Sequence, residues 1–352
     1  AVYEGSELLC QKKRRVTLED GENRPLKRKD GGFMGKYAFG VDVGGTTVKL
    51  GLFDKGGKAL ETWEIPTVKD NNGEAILPDV AKSILAKMEE KGIRERDLEG
   101  VGIGAPGAVN EEGTLTCGAV NLGWGCFNIP EVVRAYINVP VRAANDANVA
   151  AFGEMWQGGG RGFDSIVAVT LGTGVGGGIV VGGKLLAGAG GAGGEIGHLH
   201  LEDEETEFCN CGNQGCLEQY ASATGIVRLA QKRLARDKKD SILRDRVSKG
   251  VSLSAKAVFD AVKEGDQVAI EVAEWFGDYL GKGLAIVAAV VDPEAFVIGG
   301  GVSKAGEILL SYVIPPYQKY AFKQCRNAKF LLAQLGNDAG IYGAAGLILR
   351  KD

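Results

Sequence analysis

Between Glu195 and Glu218 the chain gathers more chemistry-bearing side chains than in any other stretch. Glu195-Ile-Gly-His198-Leu-His200 holds both histidines of the protein. Cys209-Asn-Cys211-Gly-Asn-Gln-Gly-Cys216-Leu-Glu218 holds three of its seven cysteines. Thiolate and imidazole are the donors zinc prefers, and three sulfurs leave a tetrahedral site one ligand short. His198 and His200 are the imidazoles that can complete it. Reduced cysteine also serves as a small buried hydrophobe. The tight spacing, with Gly212 and Gly215 letting the loop fold back, points instead to a metal. Glu195 and Glu218 then become carboxylates tied to a rigid knot, suited to holding the hydroxyls of a polar ligand.

Two glycine-rich turns carry the second constellation. Asp42-Val-Gly44-Gly45-Thr46-Thr47 links two apolar runs, and Gly172-Thr173-Gly174-Val-Gly-Gly-Gly178 links two more. The second matches G-x-G-x-x-G, but a dinucleotide fingerprint needs a helix starting at the glycines. Ile179-Val-Val181-Gly-Gly reads as a strand and a turn, so that reading is rejected, and no Walker sequence is present. What remains is a pair of hairpin tips with open backbone N–H groups, which can wrap a phosphate. One such tip alone reads as a tight turn without a ligand; two, each with threonine, favour phosphate. A carboxylate at Asp42 would repel a phosphate unless a divalent cation lay between them, which implies Mg2+. Lys49 reads as a solvent-side residue or an aid to lobe packing.

The elements that must position these groups repeat themselves. Apolar strands over 39–43 and 48–53 flank the first turn, and strands over 165–171 and 179–181 flank the second. Helical spacing covers 80–91 up to Gly92, then 147–155, 255–263, 267–290 and 308–320. Buried-type strands cover 100–105, 139–144 and 295–298, the last ending at Gly299-Gly300-Gly301. Two strand–glycine turn–strand units, one opening each half, imply a duplicated α/β architecture with a cleft between lobes. Asp146 falls at a strand-to-helix junction, the position of a plain N-cap.

Composition narrows the function class. The 352 residues carry a net charge of −4, which argues against nucleic acid as the main partner. The longest apolar run, 284–291, is far too short for a bilayer, and no secretory h-region is visible. An odd, clustered set of cysteines fits a reducing cytoplasm. Glycine is the anomaly, at 55 residues placed mainly at strand ends, where backbone turns sharply or meets a ligand. Residues 1–36 hold nine basic and six acidic side chains with poor periodicity. They read as an N-terminal extension, either disordered or not native, with Met34 as the expected start; a nucleic-acid-binding arm is the weaker alternative.

With these motifs in place, the chain resembles the ROK family, and within it the bacterial glucokinases. Asp42-Val-Gly-Gly-Thr-Thr47 and Leu171-Gly-Thr-Gly-Val-Gly-Gly-Gly178 are similar to its phosphate motifs. Gly104-Ala-Pro-Gly107, Asn121-Leu-Gly-Trp124, Asn145-Asp-Ala-Asn148 and Glu195-Ile-Gly-His198 are similar to its sugar motifs, and Cys209 to Glu218 to its zinc motif. The resemblance runs from about Tyr37 to the end, through Leu335-Gly-Asn-Asp-Ala-Gly340. It implies an actin-like, hexokinase-type fold of two ribonuclease H-like lobes, 37–144 and 145–337, with a helix near 338–352 packing back on the first. It implies Asp146 as general base, with Gly107, Asn145, Glu195, His198 and Glu218 on the sugar. ATP and Mg2+ would meet Asp42, Gly44, Gly45, Thr46, Thr47, Gly172, Thr173, Gly174, Gly300 and Gly301. Structural zinc would take His198, Cys209, Cys211 and Cys216. The expected activity is phosphorylation of D-glucose by ATP in a cytoplasmic homodimer. The alternatives are another hexose or an N-acetylhexosamine such as N-acetylmannosamine, or a non-catalytic sugar sensor. The family's repressors carry an N-terminal helix-turn-helix domain for which 36 residues are too few.

Overall fold

A computed structural model of the chain describes residues 35–350. The expectations for residues 1–34, including the extension and the start at Met34, lie outside the described residues. The first sheet is built on a meander, β1 (Tyr37–Val43), β2 (Thr47–Asp54) and β3 (Ala59–Pro66), all antiparallel. β4 (Leu98–Ala105) pairs parallel with β1, and after a small hairpin of β5 (Thr114–Leu115) and β6 (Phe127–Asn128), β7 (Val141–Asn145) pairs parallel with β4. The second sheet repeats the plan with β8 (Ile166–Leu171), β9 (Val175–Val181), β10 (Lys184–Leu185), β11 (Ala295–Gly299) and β12 (Lys329–Leu332). The strand orders are β3-β2-β1-β4-β7 and β10-β9-β8-β11-β12, each a meander continued by two parallel strands. This duplication is the actin-like, hexokinase-type architecture.

Local sequence accounts for the elements. All eight residues of β4 are buried, as expected of a parallel strand covered on both faces. β3 sits at the sheet edge, with Glu61, Trp63 and Ile65 half-buried on one face and Leu60 and Glu64 exposed on the other. The helix Ile76–Lys91 ends on Gly92 at φ +64°, which closes its last turn. In the helix Asp146–Gln157 the cap is Asn145, whose side chain accepts the Asn148 N–H at 3.1 Å. Asp146 is therefore the first helical residue and not the cap.

The C-terminal helix, Ala339–Leu349, lies against β1, β4 and the helix Asp146–Gln157. Its approach depends on missing side chains. A Cβ on Gly40 would overlap the Ile341 carbonyl, one on Gly102 the Ala344 carbonyl, and one on Gly343 the Val149 carbonyl. The sheets each back a separate core, one from Phe39 to Ala143 and one from Val167 to Cys325 along the helix Gln267–Val291. Among the described residues no helix is long and apolar enough to cross a membrane.

Candidate active site

β7 runs into the helix Asp146–Gln157 without a linker, so the strand end fixes both Asn145 and Asp146. Asn145 Nδ2 donates to the Gly107 carbonyl at 3.0 Å and to Asp146 Oδ1 at 3.0 Å, while the Ala147 N–H donates to the same oxygen at 2.8 Å. Gly107 holds φ +94°, a conformation that side chains resist. Burial pushes the Asp146 carboxyl above its ordinary range; the Ala147 N–H opposes this, and the charge of Glu195 adds to it. A carboxylate so placed is a stronger proton acceptor than a solvated one.

The first glycine turn is a tight hairpin tip. Gly44 N–H donates to the Thr47 carbonyl at 3.1 Å and Thr67 Oγ1 to the Gly44 carbonyl at 2.8 Å, with Thr46 and Thr47 exposed. Lys69 Nζ and Asn121 Nδ2 lie 3.7 and 3.8 Å from where a Cβ on Gly45 would stand. Asp42, two residues earlier, has a pKa raised to about 6, mainly by burial, then by the charge of Asp146, and lowered by Lys49. A carboxylate whose proton affinity is raised by a second carboxylate nearby is a natural cation site.

The second turn closes through Gly172 N–H to the Gly174 carbonyl at 3.0 Å and leads directly into β9, with no helix at the glycines. The helix Ala223–Arg236, capped by Ser222, is tied to it. Ala223 N–H donates to the Gly172 carbonyl at 2.8 Å and Thr224 Oγ1 to the Thr173 carbonyl at 2.7 Å. Gly300 stands at φ +84°, where a Cβ would meet the Leu171 carbonyl, and Gly301 follows in open space. Gly300 therefore borders the second turn.

The ligand atoms of His198, Cys209, Cys211 and Cys216 lie within 4.8 Å of one another. Three sulfurs and one imidazole nitrogen at that spacing fit a tetrahedral metal of the zinc type. Of the two histidines left open by spacing, His200 is elsewhere: its ring bonds Asp203 Oδ1 at 2.7 Å and the Gln214 carbonyl at 2.9 Å. Glu218 joins the knot to the second turn, accepting from Cys209 Sγ at 2.9 Å and from the Val175 N–H at 3.4 Å. Glu195 stands 3.8 Å from His198 Nε2 with its side chain 57% exposed. Trp124 is buried, its indole N–H on the Gly73 carbonyl at 3.0 Å, so it supports the first lobe's core.

Sequence reading gave Lys49 as a solvent-side residue or an aid to lobe packing but missed its partner, along with two further supports. Lys49 pairs with Asp338 at 2.5 Å, tying β2 to the start of the C-terminal helix, which is the lobe-packing role. A Cβ on Gly340 would overlap the Asp42 carboxylate. Glu154 is buried and accepts N–H groups from Gly159, Gln334 and Leu335 at 2.8, 3.0 and 2.8 Å, so it pins the segment before that helix. Its signal was available: a carboxylate on the apolar side of a helix, among Ala151, Phe152 and Met155.

Comparison with known proteins gives the family. A sequence model of the ROK family matches residues 38–351. A glucokinase of Halalkalibacterium halodurans is 41% identical over 318 residues, which is 90% of this chain and 96% of that protein. A glucokinase of Streptomyces coelicolor is 36% identical over 318 residues, 89% of this chain and 98% of its own length. Among solved structures, a ROK family glucokinase from Streptomyces griseus in complex with glucose and AMPPNP is 34% identical, with a TM-score of 0.66 over 89% of this chain and 99% of that one. The chain belongs to the ROK family.

Proposed function

We propose that this protein is a glucokinase, transferring the γ-phosphoryl group of Mg·ATP to the 6-hydroxyl of D-glucose. The observation that carries the reading is Asp146: a half-buried carboxylate with raised proton affinity, fixed at a helix start by Asn145 and near Asp42 beside a phosphate-type turn. The glucokinases of Halalkalibacterium halodurans and Streptomyces coelicolor, and the glucose and AMPPNP complex, supply the substrate class.

Phosphoryl transfer asks chiefly for positioning and charge neutralisation. Gly107, Asn145, Glu195, His198 and Glu218 hold the sugar hydroxyls and present the 6-hydroxyl to Asp146. Asp146 accepts the 6-hydroxyl proton as the bond from that oxygen to the γ-phosphorus forms and the γ-phosphorus bond to the bridging oxygen breaks, releasing ADP. Gly44, Gly45, Thr46 and Thr47 on one side, and Gly172, Thr173 and Gly174 on the other, offer N–H and hydroxyl donors to the phosphates. Gly300 and Gly301 meet the adenosine. Asp42 holds the Mg2+, which neutralises phosphate charge when bound. His198, Cys209, Cys211 and Cys216 hold a structural zinc, which has no open position for chemistry and stiffens the loop bearing Glu218. Family membership supports a cytoplasmic homodimer.

Measuring ADP release from Mg·ATP across glucose, mannose, fructose, N-acetylmannosamine and N-acetylglucosamine tests this reading. Turnover dominated by glucose is expected. Turnover with another sugar moves the substrate. No turnover in protein that binds sugar makes it a sensor.

A further inference from the structure

We infer that Asn148 is a positioning residue for the sugar carboxylate Glu195, holding the glycine-rich strap before Glu195 against the helix that carries Asp146. The inference rests on the kinase reading above and deepens it.

The strap is Ala187-Gly188-Ala-Gly190-Gly191-Ala-Gly193-Gly194, with no side chain larger than a methyl group. Gly188, Gly191 and Gly194 stand at φ +76°, +79° and +95°. Such a segment has little stiffness of its own, because glycine restricts neither φ sign nor side-chain packing. It is held at a few points. Gly193 N–H donates to the Ala187 carbonyl at 2.7 Å, and Ile196 N–H to the Gly194 carbonyl at 2.7 Å. Across the cleft, Thr116 Oγ1 donates to the Gly190 carbonyl at 2.7 Å. The residue the strap delivers is Glu195, largely exposed, whose place over the sugar is therefore set by backbone and not by side-chain packing.

Asn148 meets the strap at its last two residues. It is the third residue of the helix Asp146–Gln157 and is 1% exposed. Its Nδ2 donates to the Gly193 carbonyl at 3.4 Å, a long bond. Its Oδ1 is buried with no hydrogen-bond partner among the described residues and lies 3.3 Å from where a Cβ on Gly194 would stand. The opposite side is closed by β9, since a Cβ on Gly178 would come within 3.2 Å of the Asn148 Cα. A buried amide with an orphaned oxygen carries a desolvation cost that an apolar residue would not. The neighbouring groups give it a use. A small shift of the strap shortens the Gly193 bond and brings the Gly194 or Glu195 N–H onto Oδ1. The amide then grips both sides of the backbone leading into Glu195, so the sugar carboxylate and the base Asp146 are registered by one helix turn. Glu195 already raises the proton affinity of Asp146, consistent with both facing the same cleft.

The test is a pair of double-mutant cycles read as KM for glucose, KM for ATP and kcat. Asn148→Ala is expected to raise the glucose KM about tenfold with the ATP KM unchanged. Combined with Glu195→Ala it adds no more than about twofold to what Glu195→Ala does alone, whereas combined with Glu218→Ala the two effects multiply. Asn148→Ser, which keeps a hydroxyl at the strap, recovers part of the loss and serves for both cycles if the alanine variant does not fold. Multiplying effects in the Asn148–Glu195 cycle, or an equal rise in the ATP KM, overturns the inference and leaves Asn148 a packing residue. If Glu195→Ala alone leaves the glucose KM unchanged, the sugar assignment of Glu195 fails, and the inference fails with it.

Discussion

Asp42 and Asp146 differ from surface aspartates because burial disfavours their charged forms while each stands near another carboxylate. For Asp146 that shift matches the task, since a base works best when its proton affinity is near that of the surrounding solution. Asp146→Asn keeps the Asn145 and Ala147 contacts at Oδ1 and removes the acceptor. We expect kcat to fall by about 10²–10⁴ with glucose binding nearly intact; a variant retaining most of its turnover would remove Asp146 from the role of base. For Asp42 the shift is a stability statement. Its folded pKa of about 6 lies above the ordinary 3.8, so the folded state binds the proton more tightly. That contribution is fully present below pH 3.8 and is lost as pH rises through 6. Asp42→Asn should therefore be neutral in acid and stabilising in alkali, by up to about 3 kcal/mol. Urea denaturation in metal-free buffer at low and high pH measures the difference; a gain that shrinks as pH rises contradicts the assignment.

At the scale of elements, the zinc-type knot and the C-terminal helix place the site, and they do so by opposite means. The knot works through donors. Cys211→Ser should cost bound zinc and thermal stability together, because metal binding and folding are linked; a variant that still holds one zinc per chain would exclude Cys211 as a ligand. The helix works through absence of side chains. At Gly343, alanine gains about 1 kcal/mol of helix propensity, but its Cβ meets the Val149 carbonyl, a backbone atom that cannot rotate away. Overpacking of about 1–3 kcal/mol then wins, so Gly343→Ala is expected to lower the urea midpoint, and a raised midpoint would mean that the two helices separate freely. The same contrast explains what the sequence made legible. The strands flanking both turns stand out as β-branched runs cut by glycine, and the motif residues lie beside them. β3 was missed because its edge position permits Glu61 and Glu64 between apolar neighbours. The helix Ala223–Arg236 was missed because Arg233 falls on the buried face in line with Ile226, Leu229 and Ala230, so a charge stands where the pattern calls for an apolar residue. Within the site, Asp146 and the knot are local patterns. Lys49 with Asp338 joins residues 289 apart and Glu154 with Gln334 residues 180 apart, and no local spacing announces either pair.

Across the whole molecule, the two lobes have separate cores but share the two crossing helices, the Lys49–Asp338 pair and the Thr116–Gly190 bond. The groups assigned to sugar are divided in the same way: Gly107, Asn145 and Asp146 belong to the first sheet and its outgoing strand, while Glu195, His198 and Glu218 belong to the second lobe. On that assignment, glucose binds only when both halves are folded and brought together. Ligand at about 100 times its Kd adds about 2.7 kcal/mol of stability, which for a chain of this length is a rise of about 4 °C in melting temperature. Two substitutions in the site should separate here. Asp146→Asn should keep the glucose-induced rise, because it loses a proton acceptor and not a hydroxyl contact. Glu218→Ala should lose most of it, because Glu218 spans the knot and the second turn. Should Asp146→Asn lose the rise as well, the carboxylate binds the sugar and the proton must leave by another group; should Glu218→Ala keep it, the knot supports the lobe without touching the substrate.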